Sequence, residues 1–234
     1  MYLGEITRNV LLSLIDAGPK PLLFNGRSSD VLNTHYGLDT AVMSEVEEVW
    51  ESEREFVVPT ESPEQGKSRP NGSSPLKSTA TPDIVDWQDA RSVDVDQLSG
   101  EDLKRLERIR EVIIQRLSLP SEDVSLRDAA IVRWAASLVA NRAAKLSACA
   151  VAAVLVQTGR AKLGGGFSTN EEKIGVGVDG SLIQHYPNFN TRLRDSLGEL
   201  VGEEVEKKVQ IGLAKDGSGV GAALCALQAI KQGH

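Results

Sequence analysis

The last third of the sequence alternates strand-like and helix-like segments, and this alternation limits the folds open to the chain. Apolar alternation predicts strands over 173–178 and 207–214, and helical periodicity predicts helices over 188–201 and 219–232. Strands separated by helices are typical of a mixed α/β layer. Because two or three strands are too few for a self-sufficient sheet of ordinary size, we expect a helix-rich α/β fold with an incomplete sheet.

Changes in composition divide the chain into three regions. Residues 1–50 open with an amphipathic helix over 3–16, and residues 99–234 contain the longest helical stretch, an alanine-rich run over 126–158. That run is apolar nearly all round from 148 to 156, which predicts burial between layers. Between these regions, residues 51–98 are rich in Pro, Ser, Thr, Gly and charged residues, which predicts disorder. A solvated loop extension or a retained non-coding segment is favoured there over a phosphorylatable regulatory insert.

Charge and residue usage exclude several classes of protein. The chain has 26 basic and 33 acidic residues, a net charge of -7. An acidic balance argues against a nucleic-acid partner, which would need a basic face. No apolar run reaches the ~20 residues that cross a bilayer, and the start lacks signal-peptide zones, so we expect a cytosolic protein without membrane contact. Cys149 and Cys225 are predicted to be buried reduced thiols, and the three histidines show no metal-ligand spacing, so no metal site is predicted.

Two glycine-rich turns are candidates for ligand contact. Glycines 217, 219 and 221 lie between the strand over 207–214 and the following helix, where Ser218 can cap the helix. On these residues alone, the steric needs of a strand-to-helix turn explain the glycines better than a ligand does. Residues 175–180 satisfy G-x-G-x-x-G, but we reject a dinucleotide site because 181–187 does not predict the helix that such a site requires.

Five segments, in order, resemble motifs of the hexokinase family, most closely its fungal glucokinases. Tyr-Leu-Gly-Glu-Ile at 2–6 resembles a sugar-binding helix start, and Leu-Asp-Thr-Ala-Val-Met-Ser at 38–44 resembles a nucleotide-contacting turn. Asn-Arg-Ala-Ala-Lys-Leu-Ser at 141–147 resembles the long-helix signature of that family. Val-Gly-Val-Asp-Gly-Ser at 176–181, followed by Tyr-Pro-Asn-Phe at 186–189, and Asp-Gly-Ser-Gly-Val-Gly-Ala-Ala at 216–223 resemble its two ATP-side turns. The resemblance covers the chain outside about 50–98.

The resemblance implies an actin-like, ribonuclease-H-like ATPase-domain fold, present here in part. It implies that Glu5 binds glucose, where a charged carboxylate accepts strong hydrogen bonds from sugar hydroxyls. It also implies ATP-binding roles for Thr40, Ser44, Gly180, Ser181, Leu182, Gly217 and Ser218. From the residues alone, Glu5 is better explained as a first-turn acid on the helix dipole, and Thr40 and Ser44 as an N-cap and a turn hydroxyl.

The implied reaction is transfer of the γ-phosphoryl group of Mg-ATP to the 6-hydroxyl of glucose or another hexose. The implied cofactors are therefore ATP and Mg2+. The aspartate that serves the family as general base, its Gly-rich loop and further sugar-binding groups lie upstream of the Glu5 motif in that family, and this sequence has no counterpart of them. We therefore expect no catalytic residue in this chain and no glucose phosphorylation by it alone, as for a truncated product or for one part of a longer chain whose N-terminal half would be its partner. A non-catalytic sugar- or nucleotide-binding protein is the alternative, and another actin-like sugar kinase a more remote one.

Overall fold

The computed structural model of the chain describes residues 2–52, 89–165, 173–213 and 217–232, with only the backbone described at 213, 217, 218 and 232. Within these residues helices dominate and the strands form one two-stranded sheet. The elements run α1 Leu3–Ile15, α2 Asp30–Asn33, α3 Thr40–Glu51, α4 Gly100–Leu117, α5 Leu126–Gln157, β1 Ile174–Val178, α6 Ser181–His185, α7 Phe189–Val201, α8 Glu203–Glu206, β2 Val209–Leu213 and α9 Gly217–Gln232.

Side-chain caps fix where several of these helices begin. Ser29 Oγ accepts the Leu32 N–H of α2, and Ser99 Oγ accepts the Asp102 N–H of α4. Ser125 and Asp128 satisfy each other's backbone N–H groups at the start of α5, a reciprocal arrangement that the spacing of Ser and Asp favours. Each cap satisfies an N–H group that the helix itself leaves without a partner.

α5 is the central element, and two hydrophobic clusters form along it. The first cluster joins α1, α3 and α4 to the N-terminal half of α5. The second joins the C-terminal half of α5 to α7 and the sheet, through small residues such as Ala144, Ala148 and Ala152 that let neighbours approach closely. α5 is also long and apolar enough in composition to cross a membrane, a property that long core helices share. The sequence did not predict a possible span here, because charged residues interrupt the apolar run in α5.

β1 and β2 are parallel, with Ile174 paired to Val209 and Val178 paired to Leu213. Helices α6 to α8 form the crossover between them, as parallel pairing requires. The strands lie inside the predicted ranges 173–178 and 207–214, and the helices α7 and α9 match those predicted to follow them. The prediction of a helix-rich α/β chain with few strands is therefore confirmed for the described residues.

Other expectations are corrected by the structure. Cys149 and Cys225 are exposed and not buried, and the end of α5 is buried on one side only, with Val154 and Val156 exposed. The apolar composition of 148–156 thus does not produce burial all round, since few described elements cover its outer side. α9 is likewise exposed along Val220, Leu224, Leu227 and Ile230.

The predicted insert 51–98 is only partly described. Residues 53–88 lie outside the described residues, so their predicted disorder stays a prediction. Residues 89–98 contact the core: Ala90 and Val93 are buried in the first cluster, and Arg127 donates to the carbonyl oxygens of both. Because the stretch as a whole is polar in composition, the sequence did not predict that residues 89–98 pack against the core.

Candidate functional site

A cleft of about 890 Å3 opens between the start of α1, the start of α3 and the short helix α6. Its volume is in the usual range for small-molecule sites. Five of the predicted site residues, which are far apart in the sequence, line this one cleft: Glu5, Thr40, Ser44, Ser181 and Leu182. Tyr36, Asp39, Glu45, Glu48 and Arg116 complete most of its polar wall. The structure therefore brings the sugar-side prediction and most of the ATP-side prediction together.

The remaining predicted residues are Gly180, Gly217 and Ser218, and none is among the described lining residues. Gly180 precedes the lining residue Ser181 and has a φ of 140°, a conformation that favours glycine. Gly217 and Ser218 are not among the described lining residues, and α9 already includes both. Ser218 is therefore inside the helix and not at its cap, and its predicted role toward ATP stays a prediction.

Close backbone packing explains Gly4, the residue before Glu5. A Cβ at Gly4 would lie 2.1 Å from the carbonyl oxygen of Leu38 and 3.0 Å from the backbone nitrogen of Thr40. The Gly4 N–H also donates to Thr40 Oγ1 at 3.2 Å. α1 and the start of α3 can meet at the cleft only because this position has no side chain.

Substituting Gly4 by Ala should destabilise the chain because neither backbone segment can move aside cheaply. We expect a loss of about 1 to 3 kcal/mol, the usual range for overpacking, measured by urea unfolding. Gly100→Ala is the control: it is the first residue of α4, and a Cβ there meets nothing within 4 Å. Equal unfolding midpoints for the two variants would contradict the packing argument.

Hydrogen bonds define the roles of Thr40 and Ser44 in the fold. Asp39, not Thr40, caps α3, because its Oδ1 accepts the Ala41 N–H at 3.0 Å. Thr40 is the first helical residue and joins α3 to α1. Ser44 lies one turn later, not in a turn between elements, and its hydroxyl donates to the His185 carbonyl oxygen at 3.4 Å. Ser44 thus connects the α3 wall of the cleft to α6.

The short helix α6 corrects one argument made from the sequence. It begins at Ser181, directly after the G-x-G-x-x-G match, although the sequence did not predict a helix there. It ends after five residues, at Tyr186 and Pro187, and its Ser181 and Leu182 face the cleft. The strand–turn–helix succession therefore exists, but with a helix of little more than one turn.

Glu5 is the most strongly held carboxylate in the cleft. Arg8 donates to both of its oxygens at 2.7 Å, and the Tyr36 N–H donates to Oε2 at 2.8 Å. The Arg8 hydrogen bonds, with help from Tyr36 and against the opposing effect of burial, lower the pKa of Glu5 to about 2. Glu5 is therefore an ionised acceptor over the whole physiological range. The sequence analysis missed Arg8, although its i,i+3 spacing from Glu5 is the usual signal for such a pair.

A buried ion pair connects α3, which lines the cleft, to the helices packed against it. Glu47 of α3 is fully buried and accepts a hydrogen bond from Arg192 of α7, and Arg133 of α5 lies 4.0 Å away. Tyr186, at the end of α6, packs beside this pair, and burial together with the charge of Glu47 raises its pKa. The pair links the α3 wall to the helices that carry α6. Nothing in the local sequence predicts it, because its partners are more than 80 residues apart.

Comparisons with known proteins agree with the motif order. The family model described as Hexokinase matches residues 1–64 and 73–228, which includes part of the stretch set apart at 51–98. Hexokinase-2 of Schizosaccharomyces pombe is 50% identical over 104 residues, 44% of this chain and 21% of that protein. Glucokinase-1 of Kluyveromyces lactis is 31% identical over 230 residues, 98% of this chain and 35% of that protein.

A solved structure shows the same fold. A hexokinase from Schistosoma mansoni, complexed with glucose, matches with a TM-score of 0.53 and 22% identity. The match covers 92% of this chain and 32% of that one. The chain thus spans between about a fifth and a third of the length of the relatives described here.

Proposed function

The chain belongs to the hexokinase family, and on that premise we propose that its cleft is part of a site for ATP-dependent phosphorylation of a hexose. The sugar would lie beside Glu5, and the nucleotide along Thr40, Ser44, Ser181 and Leu182. The observation that carries the proposal is that one cleft of about 890 Å3 gathers all five residues from three separate segments of the chain. The product would be a hexose 6-phosphate, and glucose is the preferred candidate substrate.

The polarity of the cleft supports this division. Glu5 presents an ionised carboxylate, which forms stronger hydrogen bonds with sugar hydroxyls than a neutral acceptor does. The starts of α3 and α6 add the hydroxyl groups of Thr40, Ser44 and Ser181, which suit ribose and phosphate oxygens. We keep Gly217 and Ser218 as proposed contacts on the adenosine side.

ATP requires Mg2+, and the residues of the cleft are compatible with it. Mg2+ usually binds through substrate phosphates, waters and one or two carboxylates. Asp39, Glu45 and Glu48 place carboxylates on the wall assigned to the nucleotide. When bound, the ion would neutralise charge on the transferred phosphoryl group. We further propose a cytosolic location without nucleic-acid or membrane partners, in keeping with the net charge of -7.

Glu5→Gln tests the sugar assignment directly. The amide keeps the shape of the side chain but removes the charge, so glucose should bind about 10- to 150-fold more weakly at pH 7, while Mg-ATP affinity stays the same. Calorimetric titration of the chain with each ligand measures both. Glu101→Gln is the matched control, because Glu101 also pairs with a base at i,i+3 but lies on α4. No glucose binding by the unmodified chain, or equal affinity in both variants, would contradict the assignment.

A binding protein without catalysis is the alternative, and one observation favours it. Glu5 is a poor proton acceptor with a pKa of about 2, so the best-placed carboxylate of the cleft binds but does not serve as a base. Turnover and ligand binding must therefore be measured separately.

A further inference from the structure

Arg8 contacts three groups at once from a buried position. Its Nε and Nη2 donate to the two oxygens of Glu5, each at 2.7 Å, and its Nη1 donates to the Leu32 carbonyl oxygen at 2.5 Å. Only 5% of the Arg8 side chain is exposed. The guanidinium therefore joins α1 to α2 and holds the Glu5 carboxylate through two parallel donors.

The loop after α2 completes the arrangement around Glu5. The Tyr36 N–H donates to Oε2, so that oxygen receives two strong donors. Oε1 receives one strong donor from Arg8 and faces Asn9 at 3.3 Å and His35 at 3.6 Å. Asn9 is exposed, and 88% of the His35 side chain is exposed. Oε1 is thus the oxygen whose remaining contacts a ligand hydroxyl can replace.

We propose that Arg8 is a positioning residue for the sugar: it fixes Glu5 in one orientation and one ionisation state, with Oε1 offered to a sugar hydroxyl. The proposal rests on the proposed function, since it assumes that Glu5 binds the sugar. It assigns no contact between Arg8 and the sugar itself, because the guanidinium is already occupied by Glu5 and Leu32.

The protonation of Glu5 supports the proposal and gives it a distinctive readout. With a pKa of about 2, the wild-type Glu5 carboxylate is ionised throughout pH 4 to 7, so Glu5 itself should contribute no change in sugar affinity over that range. The charged and titratable groups that contact Glu5 are Arg8 and the exposed His35. Without Arg8, the pKa of Glu5 should rise toward the ordinary value of about 4.3, and the carboxylate should be about two-thirds neutral at pH 4.

The experiment uses the full chain and three variants. Arg8→Gln removes both the positive charge and the paired guanidinium donors. Arg8→Lys keeps the positive charge but not the paired donors. Arg105→Gln is the control, because Arg105 is also buried and also pairs at i,i+3 with a first-turn acid, Asp102 of α4. Carbon-detected NMR follows the Glu5 carboxyl and the Tyr36 amide from pH 3 to 7, and glucose is titrated at pH 4 and pH 7.

In Arg8→Gln we expect a Glu5 titration near pH 4 that the Tyr36 amide reports, and glucose affinity about tenfold lower at pH 7. Affinity should fall about threefold further at pH 4. Arg8→Lys should restore the low pKa in part, and Arg105→Gln should match wild type in every ligand and titration readout. An Arg8→Gln chain with unchanged Glu5 titration, or with wild-type affinity at both pH values, would overturn the proposal. If Arg8→Gln does not fold, Arg8→Lys decides: wild-type affinity together with an unmoved Tyr36 amide would overturn it.

Failure of the sugar assignment would look different. In that case the wild-type chain would show no change with glucose at either pH, while the Glu5 and Tyr36 titrations would still differ between wild type and Arg8→Gln. That result would contradict sugar binding at Glu5, while Arg8 would still be the group that fixes the orientation and ionisation of Glu5.

Discussion

Glu47→Ala should be the most destabilising single substitution proposed for this chain, by about 3 to 5 kcal/mol. The variant deprives Arg192 of its carboxylate partner and removes the negative charge that lies 4.0 Å from Arg133, in a region where Glu47 itself is fully buried. A buried charge that loses its counter-ion keeps its desolvation cost without the compensating attraction. Urea unfolding followed by circular dichroism measures the change, which corresponds to roughly a hundred- to several-thousand-fold in the folding equilibrium.

The same helix supplies the control. Glu45 of α3 also pairs with an arginine, Arg116, at 2.7 Å, but both side chains are substantially exposed. Solvent screens such a pair, so Glu45→Ala should cost about 1 kcal/mol or less. An equal loss of unfolding free energy in the two variants would show that burial does not add to the contribution of the Glu47 pair, which would contradict the prediction. Because the pair links α3 to α7, Glu47→Ala should also loosen the wall of the cleft that α6 forms.

The sequence predicted the positions of helices and strands better than the burial of the residues on them. Caps at Ser99 and Ser125 and the periodicities of α7 and β1 depend on neighbours a few residues away, so they could be predicted from local patterns. Burial of the α5 end and of Cys149 depends on what packs against them, which composition does not report. Both were predicted buried, but Cys149 is exposed and the end of α5 is buried on one side only.

The candidate site shows the same division. Motif order led to Glu5, Thr40, Ser44, Ser181 and Leu182, which the fold gathers in one cleft. The exact role of Thr40 could not be predicted, because it depends on the approach of Gly4 from a different helix. The Glu47 pair spans 145 residues to Arg192 and has no local pattern at all. Long-range ion pairs of this kind become visible only once the helices are placed.

The chain alone should phosphorylate glucose at a rate at least about 10²- to 10⁴-fold below that of a chimera in which it replaces the matching region of Kluyveromyces lactis Glucokinase-1. The factor is the usual contribution of a positioned general base. Such a base must take the proton of the sugar hydroxyl, and the carboxylates of the described cleft are unsuited to that task. A coupled assay for glucose 6-phosphate, run at equal protein concentration, measures the ratio.

Each carboxylate of the cleft is engaged otherwise or open to water. Glu5 is held ionised by Arg8 with a pKa of about 2, which makes it a weak base at neutral pH. Asp39 caps α3, and Glu45 is paired with Arg116. Glu48 is exposed to solvent. On the proposed function, the described carboxylates of the cleft would hold a sugar without removing its proton.

Two controls separate chemistry from binding in this comparison. Glucose titration of the chain establishes whether the sugar is bound when turnover is absent, and a chimera carrying Glu5→Gln establishes whether its activity passes through this cleft. We expect that second chimera to lose glucose affinity about 10- to 150-fold. Turnover by the chain alone at the rate of the chimera would contradict the prediction, because a described or undescribed residue of the chain would then have to act as the base. An inactive chimera that still folds and binds glucose would instead favour the binding role over the catalytic one.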